Sequence, residues 1–148
     1  MSTEHAVYPD LKGKTVLVSG GASGIGEFMV RAFAAQGAKV GFVDRAQSQG
    51  ERLAALLSSR GDAVEFVCCD ITDEIAYKAA IGRFEQSLGP ITVLVNNAAN
   101  DVRHTLEEVD SDTFDRLIAV NLKHAFFAAK AVVPMMKNAG SGSIINLG

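Results

Sequence analysis

A chain of 148 residues, 48% hydrophobic and 21% charged, has the size and composition of one globular domain able to bury a sizeable core. Its formal net charge of -3, with acidic and basic residues interleaved, gives no basic footprint for nucleic acid, and no uninterrupted apolar run approaches the roughly 18 residues of a membrane span. The stretch from Met1 to Lys14 mixes Glu4, His5, Asp10 and Lys12 without an apolar core, so it does not read as a secretory leader and a cytoplasmic protein is expected.

Apolar runs of strand length alternate with helical patterns. Thr15-Val16-Leu17-Val18 opens the series, and the spacing of Ile25, Met29, Ala32 and Phe33 predicts a helix after it. Val40 to Val43 is the second strand, followed by a helix from about Gln47 to Ser59. Ala63 to Val67, a helix from about Asp73 to Leu88, and Ile91 to Val95 continue the alternation. A long helical tract then runs from about Ser111 to Lys137, with a break expected near Asn121 or Pro134, before Ser143 to Leu147 forms a fifth strand. Strands apolar on both faces and joined by helices pair in parallel, which predicts a doubly wound α/β sheet with five strands and helices on both sides. Gly37, Gly61 and Gly89 fall where helices should end, and Gly140-Ser141-Gly142 reads as a tight helix-to-strand turn. No repeat or linker divides the chain, so residues 1–148 read as one domain or part of one.

Cys68 and Cys69 are adjacent and poorly placed for a structural disulfide, so both are expected as free, buried thiols. With no second cysteine pair or nearby histidine to complete a ligand set, no metal is expected.

The first strand runs into Ser19-Gly20-Gly21-Ala22-Ser23-Gly24-Ile25-Gly26 as the first helix begins. The pyrophosphate of a dinucleotide would meet unpaired helix N–H groups there. Gly20 permits the tight turn, Gly24 lets backbone approach phosphate, and Gly26 lets helix and strand pack closely. Asp44 ends the second strand, where a carboxylate accepts hydrogen bonds from the adenosine ribose and repels a 2′-phosphate. Arg45 beside it could pair with such a phosphate or simply be solvated; NAD is expected over NADP.

Gly20-x-x-x-Gly24-x-Gly26, Asp70 after the third strand and Asn96-Asn97-Ala98-Ala99 after the fourth make the chain resemble the short-chain dehydrogenase/reductases over nearly its whole length. The resemblance implies hydride transfer between an alcohol or carbonyl substrate and a nicotinamide cofactor. It places Ser23, Ile25, Asp70, Ile71, Asn97 and Ala98 with the glycines and Asp44 in the cofactor site. It also implies that Asn121, in the spacing Asn121-x-x-x-x-Phe126, opens a helix bend and anchors a water leading to a catalytic lysine. From the residues themselves, Asn121 is the polar member of an apolar stripe of Phe114, Leu117, Ile118, Leu122 and Ala125, so it is expected as a buried amide with satisfied partners. Asn100 to His104 is similar to a segment of sugar-oxidising members, with Arg103 and His104 at the start of a helix.

The family carries its Ser just after the fifth strand and then a Tyr and a Lys four residues apart on a helix. In this pattern the serine would follow Gly148. Tyr8-Pro9-Asp10-Leu11-Lys12 has the spacing but precedes the first strand and carries Pro9, Ser143 begins a strand, and Tyr77 is followed four residues on by Ile81. Two readings follow: the cofactor-binding portion of a longer dehydrogenase, inactive alone, which is the expected one, or a non-catalytic nucleotide-binding sensor or scaffold. The apolar helix carrying Phe126, Phe127, Val132 and Val133 predicts a homo-oligomer for the complete protein.

Overall fold

The computed structural model describes residues 6–147. Glu4 and His5 of the N-terminal stretch, and Gly148, lie outside the described residues. Five parallel strands, β1 (Thr15–Ser19), β2 (Lys39–Asp44), β3 (Val64–Cys68), β4 (Ile91–Asn96) and β5 (Ser143–Asn146), form one sheet in the order β3-β2-β1-β4-β5. The helices between them are α1 (Gly24–Ala35), α2 (Gln47–Ser58), α3 (Glu74–Leu88), α4 (Ser111–Ile118) and α5 (His124–Ala139). The predicted doubly wound parallel sheet is therefore the observed fold.

Alternation along the central strands sends successive side chains to two separate cores. Val16, Val18, Val40 and Phe42 pack with Val30 and Ala34 of α1 and with Leu53 and Leu57 of α2. Leu17, Val43 and Leu94 face the other way, onto Tyr77, Ile81 and Phe84 of α3 and Ala128, Val132 and Met136 of α5. From β1 the sheet grows outward through β2 to β3, and the chain then returns past β1 to lay down β4 and β5. The reversal lies between β1 and β4, and at their carboxyl ends an open α/β sheet leaves a crevice.

Several local features differ from expectation. The helical tract does not break at Pro134, which lies inside α5 on its exposed side, where the carbonyl left without a donor can turn to water. The irregularity is a π turn over Ala119–Lys123 that joins α4 to α5. A π turn holds one more residue than an α turn and rotates everything after it. The buried row of α5 is accordingly His124, Ala128, Val132 and Met136, while Phe114, Ile118 and Leu122 are exposed. Asn121 is exposed with them, so the expected buried amide is not found. Cys69 is buried as expected, but Cys68 ends the edge strand β3 and is exposed; both are free. Tyr8 to Lys12 contains a single 3-10 turn, Pro9–Leu11, which cannot stack residues four apart. Arg103 and His104 lie in an exposed, non-helical segment, followed by a 3-10 turn over Leu106–Glu108, and α4 starts only at Ser111.

The run Ser111–Ala139 is 29 residues long, with a mean hydropathy of 1.3 in its most apolar window, only 17% of which is buried. By length and composition it could cross a membrane. In this fold its α5 portion covers β4, so the apolar row His124, Ala128, Val132, Met136 belongs to the protein core.

Candidate functional site

At the reversal point the carboxyl ends of β1, β2 and β4, with the loop after β3, surround a cleft of about 1010 Å³. Gly20, Ser23, Ile25, Gly26, Asp44, Asp70, Ile71, Asn97 and Ala98 all line it, so a set of residues spread over almost eighty positions of sequence meets in one place. Gly24 and Asn121 do not line this cleft. Arg116, Val102 and Val120 also do, and nothing in the sequence pattern marked them.

The glycine turn has the geometry its sequence implies. Gly20 sits at a φ of 70°, in the left-handed region, and a Cβ there would lie 2.9 Å from the Cα of Ala98. At Gly26 a Cβ would come within 1.8 Å of the Gly20 carbonyl oxygen, so only glycine lets α1 start against the end of β1. Gly24, at a φ of 55°, begins the helix with open space on its Cβ side. Ser23 is the N-cap of α1, but its hydroxyl makes no capping bond, so the first N–H groups of the helix are not satisfied by it. That leaves hydroxyl, N–H donors and the positive end of a twelve-residue helix at the cleft wall, where an anion is stabilised.

Side chains from other strands hold this turn in place. The Oδ2 of Asp44 accepts from the Ala22 N–H at 3.0 Å, and its Oδ1 accepts from the Ala46 N–H at 2.9 Å. Each carboxylate oxygen keeps a lone pair for a ribose hydroxyl. Asn97 donates through Nδ2 to the carbonyls of Ser19 and Gly20, both at 3.0 Å, which ties β4 to the glycine turn. The Ser19 hydroxyl in turn accepts from the N–H groups of Asn97 and Ala98 at 3.1 Å. The sequence marks Ser19 only as the head of the glycine turn, and nothing local reveals a partner nearly eighty residues away.

Asp70 is held below the ordinary carboxylate range, first by the Thr72 hydroxyl and then by the Thr72 N–H. Arg45, largely exposed, stands 3.7 Å from its other oxygen, a loose solvated pair rather than a locked one. Burial, followed by the negative charges of Asp70 and Asp73, pushes the Cys69 thiol up to about 11, so it remains a neutral lining group. Among the described residues no cluster of three His, Cys, Asp or Glu side chains is placed to hold a metal ion.

Asn121 stands in the π turn, one of the two places where the sequence predicts a break in the helical tract, and its amide clamps the backbone of Asn100. The Asn100 N–H donates to Oδ1 at 2.8 Å, and Nδ2 donates back to the Asn100 carbonyl at 3.1 Å. Asn100 is itself part of the cleft wall, so Asn121 acts on the cleft through one intermediate. Neither Tyr8 nor Lys12 lines the cleft.

The sequence pattern of the family described as short chain dehydrogenase matches residues 14–148. The chain is 43% identical over 147 residues to a probable galactose dehydrogenase of Rhizobium meliloti, covering 99% of this chain and 57% of that protein. It is likewise 43% identical over 143 residues to a D-xylose 1-dehydrogenase of Caulobacter vibrioides, with 97% and 56% covered. Among solved structures, a short-chain dehydrogenase/reductase of Serratia marcescens superposes with a TM-score of 0.87 at 32% identity, over 95% of this chain and 57% of that one. The chain thus spans little more than half the length of the relatives it matches. With a glycine turn, an acidic second-strand end and an Asn-Asn-Ala-Ala strand end assembled on one parallel sheet, and a family pattern matched from residue 14 onward, the chain belongs to the short-chain dehydrogenase family.

Proposed function

We propose that this chain is the dinucleotide-binding part of an NAD-dependent sugar dehydrogenase. The observation that carries the reading is the convergence of the α1 N-terminus, Asp44, Asp70 and Asn97 on one cleft at the point where the sheet order reverses. The first N–H groups of α1 and the Ser23 hydroxyl would receive the pyrophosphate, and Asp44 the adenosine ribose. Asp70 and Ile71 would border the adenine, and Asn97 and Ala98 the ribose and ring on the β4 side. The negative Asp44 opposes a 2′-phosphate at the same place, which supports NAD over NADP.

When bound, the nicotinamide supplies the hydride acceptor or donor. The role of Asn121 in this reading is to set the Asn100 segment of the cleft wall and, as in the family, to hold a water near a proton-carrying lysine. A sugar as the alcohol substrate is supported by the two sugar dehydrogenases among the relatives and by the Asn100 to His104 segment, whose polar groups are exposed beside the cleft. A soluble cytoplasmic homo-oligomer is the assembly proposed for the complete protein: Phe114, Ile118, Leu122 and Phe126 form an exposed apolar face that a two-fold partner would cover.

Calorimetric titration of the chain with NAD and with NADP, before and after Asp44→Ala, tests the reading. NAD should bind more tightly than NADP, and the substitution should weaken NAD by at least about ten-fold while circular dichroism shows the fold retained. Tighter binding of NADP would overturn the cofactor assignment, and no binding of either would overturn the site.

A further inference from the structure

A second cavity, of about 560 Å³, lies on the other side of the Asn121 turn, between α5 and the ends of β4 and β5. Its mouth is apolar, with Leu122, Phe126 and Leu147 exposed around it. Two polar side chains that line it are almost wholly buried: Asn96 is 3% exposed and His124 is 4% exposed. The Nδ2 of Asn96 donates to Asn146 Oδ1 at 2.8 Å, but its own Oδ1 has no partner, and neither ring nitrogen of His124 has one. Leaving such groups bare carries their full desolvation penalty, so a native fold supplies partners to them.

The hydrogen-bond inventory narrows what the partner is. Burial holds the His124 imidazole below the usual histidine range, so the ring is neutral, with one N–H and one bare nitrogen. In the π turn the His124 backbone N–H reaches back to the Ala119 carbonyl, which releases the Val120 carbonyl from its α-helical donor. That freed carbonyl lies one turn back from His124 and is a backbone acceptor its ring N–H can use. The bare ring nitrogen and the Asn96 Oδ1 are then both acceptors on residues that line one cavity, and what they lack is a proton donor. Asn146 lines the same cavity, and its Nδ2 is the donor available to an oxygen there. Three polar partners are what a buried water ordinarily has.

We propose that the polar floor of this cavity, where Asn96 and His124 are buried, is a built water site, in which one ordered water donates to Asn96 Oδ1 and to the bare nitrogen of His124, making His124 a positioning residue for the Asn121 turn. With its ring fixed at both nitrogens, His124 holds the Val120 carbonyl, and the next residue, Asn121, keeps its grip on the Asn100 backbone at the wall of the cofactor cleft. The water site stands independently of the dinucleotide reading; only its effect on the cleft rests on that reading.

Long-range proton–nitrogen correlation spectra of the whole chain at pH 7 test this. His124 should show one fixed neutral tautomer, with a slowly exchanging ring N–H, and the Asn96 side-chain amide should show a cross-peak to a long-lived water. His124→Phe should abolish the water cross-peak and weaken NAD binding about five-fold, and His124→Gln, which keeps a donor and an acceptor, should restore both. Averaged tautomers or the absence of a long-lived water in the unmodified chain would overturn the site, whether or not the phenylalanine variant folds. A water present in the unmodified chain but NAD affinity unchanged in His124→Phe would overturn the positioning role. Failure of the unmodified chain to bind NAD, with the tautomer and water signals intact, would count against the dinucleotide reading and leave the water site standing.

Discussion

The two ends of the site are built differently. Around the glycine turn, backbone and side chains close on one another: Asp44 ties Ala22, Asn97 ties Ser19 and Gly20, and Val16, Val18, Val40 and Phe42 beneath them are fully buried. Around the Asn121 turn the same chain presents apolar side chains outward and keeps buried polar atoms without protein partners. The first region is held by local and neighbouring-strand contacts, with only the α1 N–H groups and the Ser23 hydroxyl left open to the cleft. The second leaves polar atoms of Asn96 and His124 buried without protein partners and Leu122 and Phe126 uncovered. Closure at the glycine turn and incompleteness at the Asn121 turn thus belong to separate sets of residues, and substitutions should separate them.

The largest effect is expected in the core that both ends share. Phe84 is fully buried between the sheet and α3, and Phe84→Ala should cost about 3–5 kcal/mol in urea unfolding, lowering both ends together. If NAD binding survived that substitution at full strength, the two regions would be more independent than their common core implies. Next comes Gly26→Ala. Its new Cβ would collide with the Gly20 carbonyl, so it should cost about 1–3 kcal/mol and abolish nucleotide binding while leaving the Asn121–Asn100 clamp in place. Loss of the clamp signals as well would mean that the turns are coupled.

A smaller, graded effect concerns acid. Burial lowers the His124 pKa below the 6.5 of a free histidine, so the unfolded chain takes up that proton before the folded one does. Stability from this group is complete above about pH 6.5 and is lost as the pH falls through the interval below it, levelling off once the folded state is also protonated. Melting temperatures at pH 7.5 and 5.5 should therefore fall further for the unmodified chain than for His124→Gln; equal falls would show that the ring is not shielded. Phe126→Ser should have the least effect on the monomer. The side chain is 64% exposed, and a change within about 0.5 kcal/mol is expected, together with a shift toward monomer in sedimentation if this face pairs with a copy of itself.

The same contrast explains what could be read from sequence. The strands were legible because two-sided burial makes near-continuous apolar runs, and the glycine turn because each glycine answers a local demand for a φ or a close approach. Asp44 was legible from its place at a strand end, and Asp70 and Asn97 through the family resemblance; strand ends in a parallel sheet share one edge, which brings all three to the cleft. The place of the break near Asn121 was legible too, but not its form, since a π turn shifts a hydrogen bond by one carbonyl without requiring any particular residue; nor was the exposure of Phe114, Ile118 and Leu122. Cys68 differed from its neighbour because β3 proved to be an edge strand, which depends on sheet order rather than on local pattern. The Asn96–Asn146 and Asn121–Asn100 bonds join residues 50 and 21 positions apart, beyond any periodicity.

Asp44 carries a consequence for how cofactor preference could change in evolution or by design. Because both of its oxygens hold N–H groups of the protein, one on the glycine turn and one at the entrance to α2, it is a structural tie as well as the proposed ribose ligand. Replacing it with a small neutral residue to admit a 2′-phosphate would release two backbone donors at once. A route to the phosphorylated cofactor must therefore supply new acceptors for Ala22 and Ala46 in the same step, which makes the switch a concerted change of several residues rather than a single exchange of charge.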